Sequence, residues 1–475
     1  MSSNSIKTFT PQHVYITSLD GDTRDIGAMT TLFNYYEDID RPFVQGILTV
    51  VDSGVNLIRT LPIQGGEDVE IELQCATDES GSVKNEIITY KFRIWKIYDR
   101  IFEPKIQAYK IALVTEEALK AEYVRISKRL TGTSDEIVTK LLSESLKTKK
   151  SINVEKSGNK HAMFPARKSV PSIISALKVK SRSEKVAPKT KKSTETTSTE
   201  SDIQSDNESA DGSVAGTAGY LFFENKNGFT FKSIDTICAV GNKGNFNGND
   251  IIGTYYSRSS IDGENQQRLY NIEKYRFLDE IDIMDKFRRG VYSTKLVFYD
   301  ISSGNYEEVN FSLKETFDNM VKLGFQDKLP EYQIRNEKYP TRVISMVVDN
   351  ELWNQKEEPA NPDEGGDVEY PDESKYLIAQ GISRRNILNN QQLEITIPGN
   401  ANLVVGEKIK VYLPNMAAEE IRKNDEWDTE SSGFYLISRL SHNYFMANES
   451  GPEFTTVLHL IRDTYGMEEE PSTVK

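Results

Sequence analysis

The sequence predicts a mainly β protein of α+β type, in which two β regions of similar weight flank an α/β insertion. Three observations predict it. Short runs rich in β-branched and aromatic residues alternate with polar ones near both ends of the chain. Past residue 117 the apolar period lengthens to that of a helix. Between Pro165 and Gly219 there is no aromatic residue at all, so an unfolded stretch divides the helical part from the strands that follow. At 475 residues the chain exceeds one ordinary core, and roughly two to four domains are expected.

The first β region is placed at 1–116, as a small antiparallel barrel or sandwich. Val69-Glu70-Ile71-Glu72-Leu73 alternates as a strand with one wet face does. Phe43–Val51 and Phe92–Tyr98 are apolar on both faces, which predicts strands buried on both sides. Asp52-Ser53-Gly54 and Gly65-Gly66 supply the turns.

An α/β domain is placed at 117–237. Thr133 and Glu136 have capping-box spacing, and Ile137, Val138, Leu141, Leu142 and Leu146 continue as an apolar stripe. A second helix is expected from Ser169, with Pro171 in its first turn and Ile173, Ile174 and Leu177 on one face. The Ser/Thr-rich stretch at about 181–215 runs from lysines to carboxylates. It buries too little to offset ~1–2 kcal/mol of backbone entropy per residue, so a disordered loop is expected. Asn227-Gly228 between two aromatic runs then signals a hairpin.

The second β region is placed at 238–312 and 375–467, interrupted by a loop-rich domain at 313–374 and followed by a tail at 468–475. Val291–Tyr299 reads as a strand, as do Leu393–Ile397, Ile409–Leu413, Phe434–Ile437 and Thr455–Ile461. Pro398-Gly399-Asn400 is a turn.

Composition narrows function by exclusion. Lys+Arg 58 against Asp+Glu 72 gives a net charge of −14, which argues against a broad basic nucleic-acid surface. Cys75 and Cys238 are far apart and have no partner motif, so neither a disulfide scaffold nor a thiolate zinc site is expected. Met1–Thr10 is polar and lacks a secretory apolar core, and no run approaches the ~18 apolar residues of a spanning helix.

Catalytic signatures are scarce. His13, His161, His442 and His459 form no helical pair and no HExxH; only His442 and His459 lie in strands that allow them to face each other. There is no Gly-x-Ser-x-Gly elbow. Gly241, Gly244 and Gly248 match no phosphate-loop spacing. Asp363, Glu364, Asp367, Glu369 and Asp372 lack the alternating ligands of a calcium loop. Phe222-Phe223 could form a carbohydrate platform, but alternate strand faces and core burial explain the pair more simply. No residue is assigned a catalytic, cofactor or metal role, and the chain is not expected to be an enzyme.

The run Tyr220-Leu221-Phe222-Phe223-Glu224-Asn225-Lys226-Asn227-Gly228-Phe229-Thr230-Phe231-Lys232-Ser233-Ile234-Asp235 resembles the aromatic hairpin of baseplate hub proteins of contractile-tailed, T-even-type phages. The helix expected at Pro165–Leu177 precedes it as in that family. Pro42-Phe43 and Leu61-Pro62-Ile63-Gln64-Gly65-Gly66-Glu67 fit the start, and Ile397-Pro398-Gly399-Asn400, Gly406-Glu407-Lys408-Ile409, Gly433-Phe434-Tyr435-Leu436-Ile437 and Ile461-Arg462-Asp463 fit the end. The family is related to the N-terminal part of type VI secretion spike proteins.

The resemblance implies two tail-tube-like antiparallel β-barrels per chain and a homotrimer whose six barrels adapt a threefold central spike to a sixfold tail tube. It implies a place in the virion, at the tail baseplate, after assembly in the host cytoplasm. Partners would be the spike, the tube and other baseplate proteins. DNA would pass through a channel without specific binding, and no cofactor or membrane insertion is implied. The net charge of −14 suggests an acidic lumen that repels phosphates. The stretch at 181–213 is longer and more polar than the family leads one to expect, and nothing after Asp463 resembles a spike domain, so the spike would be a separate polypeptide. Two other classes remain open: a tail-associated cell-wall hydrolase, and a receptor- or carbohydrate-binding module.

Overall fold

A computed structural model describes residues 9–79, 82–184, 218–243, 246–257, 269–279, 282–301, 304, 306–317, 320–326, 339–340, 342–348, 373–417, 427–447 and 451–467. The Ser/Thr-rich stretch from 185, the acidic stretch at 349–372 and the tail at 468–475 lie outside the described residues.

In the first region the strands are β1 (Thr10–Thr17), β2 (Thr23–Asp25), β3 (Thr30–Asp38), β4 (Gln45–Asp52), β5 (Asp68–Glu79), β6 (Ser82–Glu103) and β7 (Ile106–Val114). The α/β layer holds β8 (Leu130–Thr133), β9 (Ile152–Val154), β10 (Lys160–Met163), β11 (Tyr220–Asn225) and β12 (Gly228–Ser233). A short hairpin follows, β13 (Asn242–Lys243) and β14 (Phe246–Asn247), then β15 (Gly253–Tyr256) and β16 (Lys274–Asp279). Next come β17 (Ser293–Asp300), β18 (Tyr306–Ser312) and β19 (Arg342–Val348), and last β20 (Gln391–Pro398), β21 (Lys408–Tyr412), β22 (Gly433–Phe445) and β23 (Glu453–Arg462).

The expectation of a mainly β chain holds. Strands of both β regions join in one 13-stranded sheet, whose main path is β16-β20-β23-β22-β3-β4-β7-β6-β5-β1-β2. No ladder closes it into a barrel, because β3 carries the sheet onward to β22, from Leu32 opposite Phe445 to Asp38 opposite Arg439. β22 serves both neighbours by changing partner. Its first residues pair with β21, a bulge falls between Ile437 and Arg439, and the remainder pairs with β3. Three pairings are parallel: β12 with β9, β15 with β21, and β17 with β19.

One core lies under the joined sheet, with Phe33, Leu48 and Ile71 from the first region and Leu393, Ile437 and Leu458 from the second. Within the single chain, β4 is buried on one face. In β4, Gly46, Leu48, Val50 and Asp52 are buried while Gln45, Ile47, Thr49 and Val51 are half-exposed. In Phe92–Tyr98 only Phe92 and Ile94 are buried, and Trp95, at a register shift, is exposed.

The second core belongs to the α/β layer. The capping box at Thr133 and Glu136 forms, and Ile137, Val138, Leu141, Leu142 and Leu146 are buried together. The helix Val170–Lys180 starts from Ser169, has Pro171 in its first turn and buries Ile173, Ile174 and Leu177. The disorder expected from about 181 does not extend to the described residues of that stretch: Ser181 and Ser183 are buried, and Arg182 bridges to Ala218. The hairpin of β11 and β12 turns at Lys226-Asn227, one residue earlier than expected, with Gly228 paired to Asn225. Gly228 is needed for close approach. Its φ is +118°, and a Cβ there would lie 2.3 Å from the Ser151 carbonyl. Gly228→Ala is therefore expected to cost about 1–3 kcal/mol, measured by urea unfolding; an unchanged midpoint would refute the crowding.

A third core contains Leu296, Phe298, Phe311, Phe317 and Ile378. Here the structure departs from the sequence reading twice. β17 and β18, placed by sequence in the second β region, pair instead with β19 in a separate three-stranded sheet. Residues 373–387, read partly as β, form a helix that packs on that sheet and on the helix Val170–Lys180. Gly381 spoils its helical signal in sequence, yet the position requires glycine, since a Cβ would meet the Val179 carbonyl at 2.9 Å.

Arg384 on this helix fastens the third core to the first. Its guanidinium donates to Asp235 (3.2 Å), to Asp463 (3.0 Å) and to the Val321 carbonyl (2.8 Å). The same carboxylates accept the N–H groups of Val321 (3.0 Å) and Leu323 (2.9 Å). Arg384 and both aspartates are buried, so the one cation is shared by two carboxylates, each of which also accepts a backbone N–H.

Candidate functional site

Two features meet where β3 passes from one β region to the other. β3 points Phe33, Tyr35 and Glu37 inward and Asn34, Tyr36 and Asp38 outward. A carboxylate thus falls on a core position. Glu37 accepts from the Tyr35 hydroxyl (2.7 Å) and from the N–H groups of Lys226 (2.6 Å) and Val405 (2.9 Å). Burial pushes its pKa up to about 7, and these three donors only partly offset that. Beside it Glu224 accepts from the Val44 N–H (3.0 Å) and the Thr115 hydroxyl (2.9 Å), and pairs with Lys150, which also binds Glu117 (2.8 Å). Burial opposes the Lys150 charge, but Glu224 and Glu117 outweigh it and raise its pKa. All these partners belong to the chain itself, so the cluster is a joint between the hairpin, the second β region and β3. Sequence reasoning missed it; the available signal was Glu37 at an inward position of an alternating strand.

On the outer face a row of charges crosses five strands. Arg276 on β16 pairs with Glu394 on β20 (2.6 Å), Glu394 with His459 on β23 (2.9 Å), and Arg439 on β22 with Asp38 on β3 (3.2 Å). Next to this row lies a groove of about 460 Å³, lined by Tyr36, Phe43, Trp95 and Tyr98 and by Arg41 and Arg439. Trp95 is 52% exposed there. Glu394 binds His459 with one oxygen and Arg276 with the other, so its charge is shared between an imidazole and a guanidinium. The groove is lined by aromatic side chains and by charges of both signs.

The residues weighed from sequence are scattered. His442 and His459 do not face each other. His442 is buried and bonded to Thr456 (2.9 Å), while His459 lies on the opposite face. His161 is buried against the Ser134 hydroxyl (2.8 Å), and His13 bonds Asp25 (2.8 Å) on the surface. Burial pushes both thiols up to about 12, so Cys75 and Cys238 stay protonated at neutral pH. Gly241 and Gly248 close a short hairpin through a Gly248 N–H to Gly241 carbonyl bond (2.9 Å), and Gly244 lies outside the described residues. Asp363, Glu364, Asp367, Glu369 and Asp372 also lie outside them. Phe222 stacks on Phe229 in the second core and Phe223 sits in the first, so the pair serves two cores. Among the described residues no three His, Cys, Asp or Glu side chains gather as metal ligands.

The buried histidines carry a pH prediction. Burial lowers His442 to about 3 and His161 to about 4, below the ordinary 6.5. The folded state then binds fewer protons than the unfolded one, so stability is full above pH 6.5 and is lost as pH falls through the folded values. Unfolding followed by urea from pH 7 to pH 4 is expected to show this loss, reduced in His442→Gln. A variant with the same acid slope as the parent would refute the assignment.

No protein-family model matches the sequence, and comparison with curated proteins gives no match. Solved structures similar to this chain are phage tail proteins and proteins of VgrG complexes. A tail protein from Neisseria meningitidis MC58 aligns over 95% of this chain and 96% of its own, at TM-score 0.48 and 9% identity. The prophage MuSo2 43 kDa tail protein from Shewanella oneidensis aligns over 95% and 98%, at TM-score 0.46 and 9% identity. In the lidded Francisella PdpA–VgrG complex, 99% of this chain aligns with 55% of the other, at TM-score 0.43 and 9% identity.

Proposed function

We propose that the chain is a structural, non-enzymatic baseplate hub of a contractile tail. Three copies would form a ring that joins a threefold central spike to a sixfold tail tube and leaves a channel for DNA. The observation that carries this reading is the edge-to-edge junction of β3 and β22, which sets two β regions side by side over one core. Two such units in each of three chains supply six similar contacts, which is what a three-to-six adaptor needs. The order of the motifs from Pro42 to Asp463 supports it as well.

Each β region is read as a tail-tube-like barrel. In the second, Tyr256 bridges to Asn271, which leads into β16, so the strand series β15, β21, β22, β23, β20 and β16 curls back towards its beginning. The proposed division keeps 1–116 as the first barrel and 117–237 as the α/β domain. It assigns β17 and β18 to the inserted unit and leaves the rest of 238–467 outside that unit as the second barrel. Half-exposed Ile47 and Val51 on β4 are available for a neighbouring copy.

Light scattering over a concentration series, with negative-stain images of the same sample, tests the reading. A mass of three chains and a ring with a central hole are expected. A closed dimer, or a monomer at every concentration, overturns it.

A further inference from the structure

We propose that the cleft between the α/β layer and the second β region binds a small oxyanion, held by the ammonium groups of Lys408 and Lys232. The cleft encloses about 380 Å³ between β9, β12 and the segment leading into β21. That volume suits a small ligand fixed by a few polar groups.

The argument rests on Lys408. It is 1% exposed and opens β21. Its ammonium has three donors, of which one goes to the Ile237 carbonyl at 3.0 Å. Among the described residues no carboxylate pairs with it. The adjacent Glu407 is engaged by the Asn249 amide at 2.7 Å, and Glu407 and Asp250 act on Lys408 only from longer range. Lys232, half-buried in the cleft wall, adds a second positive charge with no ion pair of its own among the described residues. Its field, added to burial, lowers the Lys408 pKa. Two lysines and one carboxylate, Glu407, therefore line one polar cleft, which leaves a net positive charge in its wall.

Burying an uncompensated charge costs several kcal/mol, and natural proteins compensate it with a partner or a ligand. This chain solves the same problem differently at Arg384, where two aspartates are supplied. At Lys408 and Lys232 the one carboxylate of the cleft, Glu407, offsets one of two positive charges, and an anion from outside would offset the other. Asn153, Asn227 and Thr230 in the cleft wall bring further donors suited to oxyanion oxygens. The inference does not depend on the hub reading.

Thermal unfolding of the full chain at pH 7 tests it, with inorganic phosphate, acetate or chloride at equal ionic strength. A melting temperature that rises and saturates with phosphate, but not with chloride, is expected, because a ligand of the folded state stabilises it by mass action. A rise with acetate as well marks a site for carboxylates, and a rise with phosphate alone marks one for tetrahedral anions. Lys408→Met and Lys232→Met should each abolish the rise. In chloride Lys408→Met should melt no lower than the parent, since it removes a buried charge that lacks a partner. Should Lys408→Met fail to fold, Lys232→Met decides. Equal melting in all three salts, or a phosphate rise that survives Lys232→Met, overturns the proposal.

Discussion

Arg384→Ala is expected to destabilise the protein by about 3–5 kcal/mol, because it strands two buried carboxylates. Asp235 and Asp463 are each essentially buried, and Arg384 is the cation bonded to both. The loss should be local before it is global. Asp235 and Asp463 hold the N–H groups of Val321 and Leu323, so the 320–326 segment and the helix Glu373–Ile387 should loosen together. Hydrogen exchange would show this as faster exchange at those residues with β3 and β4 unchanged. The combination of Arg384→Met, Asp235→Asn and Asp463→Asn should recover much of the loss, since it removes all three charges and keeps both oxygen acceptors. If the triple variant is no more stable than Arg384→Ala, the cost is one of packing and not of unpaired charge.

Glu37→Ala is expected to be comparably severe, at about 1–3 kcal/mol for each buried donor it leaves unpaired. The donors are the Tyr35 hydroxyl and the N–H groups of Lys226 and Val405, which lie on three different segments. Glu37 also sets a pH slope opposite in sign to that of the histidines. Its carboxyl is raised from 4.5 to about 7 in the folded protein. The folded state therefore holds a proton that the unfolded state has lost, and this group's contribution declines as pH rises from about 4.5 to about 7. The change is on the order of 3 kcal/mol across that window. Glu37→Gln should cost stability at low pH, where its amide cannot accept from both N–H groups, and should flatten the slope. Urea unfolding at pH 5, 6, 7 and 8 reads both effects. A Glu37→Gln curve parallel to the parent's would show that Glu37 does not titrate in this window.

The joint explains how a chain with few catalytic features is still rich in buried polar groups. Glu37, Glu224 and Arg384 all tie segments distant in sequence. Such networks specify one arrangement of the layers, because any other would leave a charge or donor unpaired.

Much was legible in the sequence because it is encoded in contiguous residues. The alternation at Val69–Leu73, the capping box at Thr133 and Glu136, and the entry of the helix at Ser169-Val170-Pro171 each depend on side chains within a few positions. The aromatic hairpin was legible too, although its turn falls one residue earlier. Asn227-Gly228 has the composition of a hairpin turn, but Gly228 is recruited to let the Ser151 carbonyl pass.

Tertiary structure alone decided the rest, and the reason is the same in each case. Pairing between strands depends on edges that the sequence does not mark, so nothing in Arg439–Phe445 announces β3 as its partner. β17 and β18 look like any half-buried strands, and only the arrival of β19 and the helix Glu373–Ile387 assigns them to a separate core. The helix was hidden by Gly381, whose purpose is visible only once the Val179 carbonyl stands against it. Glu37 and Lys408 read as ordinary polar positions until folding removes water from both. The sequence by itself determined those strands, helices and turns whose signals are contiguous, such as Val69–Leu73 and the helix Val170–Lys180, but not the helix Glu373–Ile387. Which edges meet, and which charges are left to be neutralised from within or from outside, was decided by packing, because those energies exist only between residues far apart in the chain.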